Sequence, residues 1–233
     1  MNTRSQLLCA WSGFVFALLF TLGFWPLAQF MPPPSPNLSA TDIAAMYQAH
    51  TTQFRCGVVV MMVAAGLILP FITAISVQMK RMEGAPGILA KLQLVSGAVG
   101  VIFFILPCLA WGMASFRPER SPDLILLLSD LGWISFLFPF TTFIVQNLAI
   151  GFAILGDKNA SPAYPRWMGY FTVWTAVLFM PGGMLLFFKT GPFAWNGLFV
   201  FWIPFVVFFV WYLLMFVYLR KAIIDQAAAA PGH

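Results

Sequence analysis

The 233-residue chain is 61% hydrophobic and only 8% charged, with a net charge of +5, a pI of about 9.4 and a mean hydropathy of +0.88. A water-exposed domain carries about 25% charged residues, so the charges here are too few to coat a soluble globule and the expected surroundings are lipid. A nucleic-acid binder is excluded as well, because the twelve basic residues lie at the ends of apolar runs rather than in one patch.

In hydrocarbon every backbone N–H and C=O must be paired internally, which leaves helices or a closed barrel. Barrel strands alternate polar and apolar residues over about ten positions. The apolar runs here are long and unbroken, so the expected fold is all-α, a polytopic bundle of transmembrane helices.

Arg4 precedes the first run, residues 7–30. That run is longer than the about 7–15 residues of a signal-peptide core and no A-x-A site follows, so it reads as a retained first span. Residues 31–54 form the longest loop, opening on the prolines between Met31 and Pro36, which resist helix continuation. Ser39 and Asp42 then have the spacing of a capping box, and Ile43, Met46, Tyr47 and His50 fall on one stripe of a short helix. Further spans are expected at 55–78, 91–115, 124–155, 167–189 and 197–220, each near the about 20 residues a crossing needs. One transmembrane domain, 1–226, is thus followed by a small-residue tail, 227–233, expected to be disordered.

Six crossings place both ends on one side. With the N-terminus cytoplasmic, eight of the twelve basic residues fall inside and Arg55, Arg117, Arg120 and Lys189 outside. The 31–54 loop and its short helix are then extracytoplasmic, beside Trp25, Trp111 and Trp195 in an outer aromatic belt, with Trp167 at the inner boundary.

Each expected span contains a proline: Pro26, Pro70, Pro107, Pro139, Pro181 and Pro204. Three share a phrase, Leu69-Pro70-Phe71, Phe138-Pro139-Phe140 and Ile203-Pro204-Phe205, as if hairpins were built alike. Such prolines either break helices to expose backbone groups to a substrate or merely shape packing. Met180 to Met184, with two glycines after its proline, is the best candidate for a true break. Ser96-Gly97-x-x-Gly100 and Ala64-Ala65-Gly66 read as close-packing faces.

Asp130 is the one acidic residue within an expected span. Ionisable groups at depth face a partner or a water-filled cavity. Helical spacing puts Trp133 and Thr141 near its face, with His50, Arg55, Arg117 and Arg120 as candidate partners. The residue is either a structural pair or a ligand or proton site; on the second reading Asp130→Asn abolishes activity and spares folding. His50, Tyr47, Arg55, Asp130, Trp133, Thr141, Trp195 and Asn196 together make the expected ligand pocket, beneath the 31–54 loop. Gln93, Gln146 and Asn147 are amides suited to bonding between helices. Cys9, Cys56 and Cys108 read as inert thiols, with a Cys56–Cys108 disulfide as the sharper alternative.

No histidine pair for haem, carboxylate cluster, zinc motif, phosphate loop or serine elbow is present, so neither metal nor cofactor is expected. Tyr47 to Gly57, Phe116 to Arg120, Gln146 to Gly151, Pro165 to Trp167 and Lys189 to Gly197 together resemble an uncharacterised family of bacterial six-helix membrane proteins. The resemblance implies a bacterial inner membrane and brings no assigned activity. The leading expectation is a protein that binds or transports a small hydrophobic molecule, with membrane lipid around it and itself or another membrane protein as partner. A structural or accessory subunit is the alternative, and an enzyme acting on lipid-like substrates a weaker one.

Overall fold

The computed structural model describes residues 3–229, and these are mostly helical with no strand among them. The first helix, α1 (Thr3–Leu22), runs on as a π-helical turn, Gly23–Leu27. Pro26 lies in that turn, where a wider ring accommodates a residue with no N–H to give. The chain then reverses at Gln29, whose φ is 56°, and the Phe30 N–H returns to the Phe24 carbonyl at 3.0 Å. Phe30 is thereby aimed back into the core.

The short helix α2 (Ala40–Ala49) starts on the expected capping box. The Asp42 N–H donates to Ser39 Oγ at 3.2 Å and the Ser39 N–H to the Asp42 carboxylate at 3.3 Å. Its buried stripe is Ile43, Ala44 and Tyr47, while Met46 and His50 are exposed.

Three expected spans are each two helices in series. They are α3 (Thr51–Gly66) with α4 (Ile68–Glu83), α5 (Ile88–Gly100) with α6 (Ile102–Phe116), and α7 (Pro122–Leu137) with α8 (Thr141–Gly156). Pro70 falls in the first turn of α4, and Pro139 sits between α7 and α8. First-turn proline costs little, because the N–H it lacks has no partner inside the helix. The shared proline phrase therefore marks places where a helix restarts. The same holds for α10 (Ile203–Ala229), which follows a π-helical turn, Leu198–Trp202, and has Pro204 as its second residue.

The expected fifth span, 167–189, is not one helix. Its α9 (Arg166–Leu178) gives way to a 3-10 turn, Met180–Met184, and then to irregular chain. Pro181 with Gly182 and Gly183 explains the change, since proline cannot continue the ladder and glycine adds backbone freedom. Among the described residues, five helical stretches are long and apolar enough to cross a membrane: Thr3–Leu27, Thr51–Glu83, Ile88–Phe116, Pro122–Gly156 and Leu198–Ala229. The expected tail is helical as far as Ala229, and residues 230–233 lie outside the described part.

Six helices close a ring: α1 packs on α4, α4 on α5, α5 on α8, α8 on α9, α9 on α10, and α10 on α1. Further along the bundle, α3 packs between the turn at Gly23–Leu27 and α6, α6 packs on α7, and α2 lies across α7. The outside is apolar. On α1 alone Leu8, Trp11, Val15, Leu18 and Leu22 are exposed, opposite the buried Ala10, Gly13, Phe16 and Phe20. A helix apolar on both faces suits lipid on one side and protein on the other.

At one end of the ring Gln78, fully buried, donates to Gln6 Oε1 at 2.8 Å and to Gln226 Oε1 at 2.9 Å. It also accepts from Arg81. Nearby, the Glu83 carboxylate accepts the Leu89 and Ala90 N–H groups at 3.0 and 3.1 Å, an anion seated on the free N–H groups that open α5.

Candidate functional site

The residues singled out by sequence divide between two regions. Near the loop that carries α2, the space expected to be a pocket is filled by rings. Phe30 packs on Trp111 and Trp133 with centroids 4.5 and 5.0 Å apart, Trp133 stacks on Trp195 at 6.3 Å, and Phe54 bridges Phe30 to Tyr47. Trp111 and Trp195 are thus interior residues and not members of an interfacial belt. Trp195 donates its N–H to the Pro34 carbonyl at 2.8 Å, fastening the proline loop to the turn before α10. The indole N–H groups of Trp111 and Trp133 are buried without a hydrogen-bond partner.

Tyr47 is buried, with Asp130 in electrostatic reach of its hydroxyl. Its hydroxyl has no hydrogen-bond partner among the described residues, and burial pushes the phenol well above the usual range, with the Asp130 charge adding to the rise. Asp130 is half-buried on α7, and the cation acting on it is Lys189. The expected partners are engaged elsewhere. Arg55 donates to the Ser115 carbonyl at 2.7 and 3.1 Å and to the Phe116 carbonyl at 3.1 Å; Arg120 donates to the Met113 carbonyl at 3.0 Å. Both arginines therefore satisfy the free carbonyls that end α6. Arg117 lies over the Phe116 ring at 5.9 Å.

His50 is exposed at the junction of α2 and α3, and Asn196 is half-buried in the turn before α10. Thr141 is exposed at the start of α8. The α7–α8 break at 138–140 removes the continuous helix that would have set Thr141 over Asp130. The structure thus gathers Tyr47 with Asp130 and Trp133 with Trp195, and leaves His50, Arg55, Thr141 and Asn196 apart from a common point. All three cysteines are free, so the Cys56–Cys108 alternative does not form.

The cavity lies elsewhere, where the helices are interrupted. It measures about 120 Å³, and its wall draws on Ile68, Gly100, Pro139, Gly182 and Pro204, each within a few residues of a break. Phenylalanines from several helices supply most of the remaining surface, Phe20, Phe71, Phe104 and Phe143 among them. None of the eight sequence-derived candidates lines it. A ring-lined cavity of this size is close to the engineered apolar cavity of about 150 Å³ that admits benzene.

One side of the cavity approaches α5 closely. A Cβ at Gly97 would come within 2.5 Å of Gln146 Nε2, so only glycine lets that amide rest against the α5 backbone. Ile72 and Phe143 flank it, and Trp211 donates its N–H to Thr172 Oγ1 at 3.1 Å. No lining residue is charged.

Sequence reasoning noted Gln146 only as an amide for bonding across helices, and passed over Tyr212. The prolines were the available signal, since most of the breaks they attend meet at this void. Comparison with known protein families, curated proteins and solved structures finds no match. The helices and their apolar surface are those of a multi-pass membrane protein. Among the described residues no group of three or more histidine, cysteine or acidic side chains is placed to hold a metal ion.

Proposed function

We propose that this chain is an inner-membrane protein of a bacterium that binds, and in doing so moves or presents, a small hydrophobic molecule in the cavity among its helix breaks. The observation that carries the reading is the cavity itself. It is apolar, ring-lined and bordered by interrupted helices, the geometry by which membrane proteins make room for a ligand at depth.

Six crossings with both ends cytoplasmic belong to the same proposal. The shared contact of Gln6 and Gln226 with Gln78 supports an even number of crossings. The sixth is α9 with its 3-10 turn: 13 residues at about 1.5 Å and 5 at about 2.0 Å reach about 30 Å, the thickness of the hydrocarbon. The excess of basic residues at the Gln78 end supports calling that end cytoplasmic, which leaves α2 outside.

The rival reading of an accessory subunit needs an exposed small-residue face. The inward parts of both such faces are used inside the chain, Gly97 against Gln146 and Ala64 with Ala65 fully buried, while Gly66 is exposed. An enzymatic reading lacks a convergent acid and base, since His50 is exposed and Lys189 is the cation acting on Asp130.

The test is binding of fluorobenzene to the purified chain in detergent, followed by ¹⁹F NMR and thermal unfolding. Saturable binding that disappears in Val200→Phe, whose added ring intrudes on the lining, is expected while helicity is kept. Non-saturable partitioning alone, identical in both proteins, rejects the proposal.

A further inference from the structure

Three cavity-lining side chains carry hydrogen-bonding groups: Gln146, Trp211 and Tyr212. Trp211 has Thr172 as its partner. Gln146 is 7% exposed and has no hydrogen-bond partner among the described residues. The Tyr212 hydroxyl, on a ring stacked against Phe71 at 4.7 Å, is buried and also unpartnered.

Beside Gln146 the shortage continues. Gln93 stands one turn from Gly97 on α5, is fully buried, and has neither amide atom bonded. Asn147 gives its N–H to the Phe143 carbonyl at 2.9 Å but leaves its own side-chain oxygen unmet. Buried polar groups in folded proteins are nearly all paired, and an unmet one marks a place where something else completes it. Within a membrane no bulk water is at hand to do so. Of these amides Gln146 is the one that lines the cavity, and it stands at the wall that Gly97 opens, backed by Gln93 and Asn147 outside the lining.

We infer that the occupant of the cavity carries one uncharged hydrogen-bonding head, a hydroxyl or a carbonyl, seated on the Gln146 amide, with an apolar ring among the phenylalanines. This rests on the function proposed above. A primary amide both donates and accepts, so it serves either head. A charged head is disfavoured, because no lining residue offers a counter-charge and an unpaired ion at this depth is costly.

The experiment compares 4-fluorophenol with fluorobenzene on the full chain in detergent, with affinities corrected for partition of each probe into the micelle. One added hydrogen bond to a buried amide is expected to make 4-fluorophenol about tenfold the tighter ligand. Gln146→Leu, and Gln146→Met should the first fold poorly, is expected to erase that preference, bringing the two probes within about twofold of each other in the same variant. Equal affinity of the two probes for the unaltered protein, or a preference that survives loss of the amide, overturns the polar head and leaves the cavity reading standing. Failure of both probes to bind saturably overturns the cavity reading too.

Discussion

Replacing Gly57 with alanine sets two effects of opposite sign against each other. Alanine in the interior of a helix is favoured over glycine by about 0.8–1 kcal/mol. Against that, a Cβ at this position would lie 2.7 Å from the Gly23 carbonyl oxygen, 2.8 Å from the Ala28 nitrogen and 3.0 Å from Leu27 Cβ. Two of these are backbone atoms of the turn that ends the first span, so no rotamer can move them aside. The turn must retreat by several tenths of an ångström, carrying Phe24 and Phe30 away from Trp111. Forced overpacking of this kind costs about 1–3 kcal/mol, so after the helix gain a net loss of about 0–2 kcal/mol is expected. Gly112 on α6 is the internal control, since a Cβ there meets only Val58 Cγ1 at 3.6 Å, and Gly112→Ala is expected to gain up to about 1 kcal/mol. Unfolding by SDS titration in mixed micelles, read by circular dichroism, compares the two. If Gly57→Ala proves as stable as Gly112→Ala, the close helix-to-turn approach is wrong.

Trp195→Phe keeps the ring and strands the buried Pro34 carbonyl, so a loss of about 1–3 kcal/mol and faster proteolysis within residues 31–39 are expected. Arg55→Lys cannot reproduce the fork onto the Ser115 and Phe116 carbonyls; a fall of about 1 kcal/mol, read by the same titration, is expected. Asp130→Asn, outside the cavity wall, is expected to leave fluorobenzene affinity within about twofold, and a larger loss would place Asp130 in the site after all. Tyr47 and Tyr164 lie outside the long spans, and burial raises both phenols above the usual 10.0; for Tyr164 the Arg81 charge opposes the rise. The neutral form is the one the fold holds, so their contribution is complete below pH 10 and is lost as pH climbs above it. Alkaline unfolding of Tyr47→Phe and Tyr164→Phe is expected to be less steep than that of the unaltered chain.

Membrane character was legible because it follows from a count: too few charges for too much apolar side chain. The capping box at Ser39 and Asp42 was legible because both partners are four residues of one segment. The breaks were only half legible. Pro139 and Pro70 were visible, but hydropathy scores a broken helix and a straight one alike, so 124–155 and 55–78 each read as single rods. The pocket was misplaced for a physical reason. Attention went to rare charges, Asp130 and Arg55, whereas the void is built from the commonest aromatic in the chain, with 26 phenylalanines to choose from. Nothing in spacing distinguishes Phe104, which lines the void, from Phe152, which is exposed. Gln146 drew notice as an amide, but its lack of a partner is a property of the packed chain alone.

The Gln78 junction bears on how the molecule is made. Its amide draws on a residue near the start of the chain and on one close to the end, Gln6 and Gln226. During synthesis α4 therefore waits in the bilayer with an incomplete set of bonds until the segment carrying Gln226 leaves the insertion machinery. The first helix waits as well, for α10, one of its two neighbours in the ring, follows it by many residues. A nascent chain truncated before residue 226 would keep the Gln6 and Arg81 bonds of that amide and lack one of its two donor bonds.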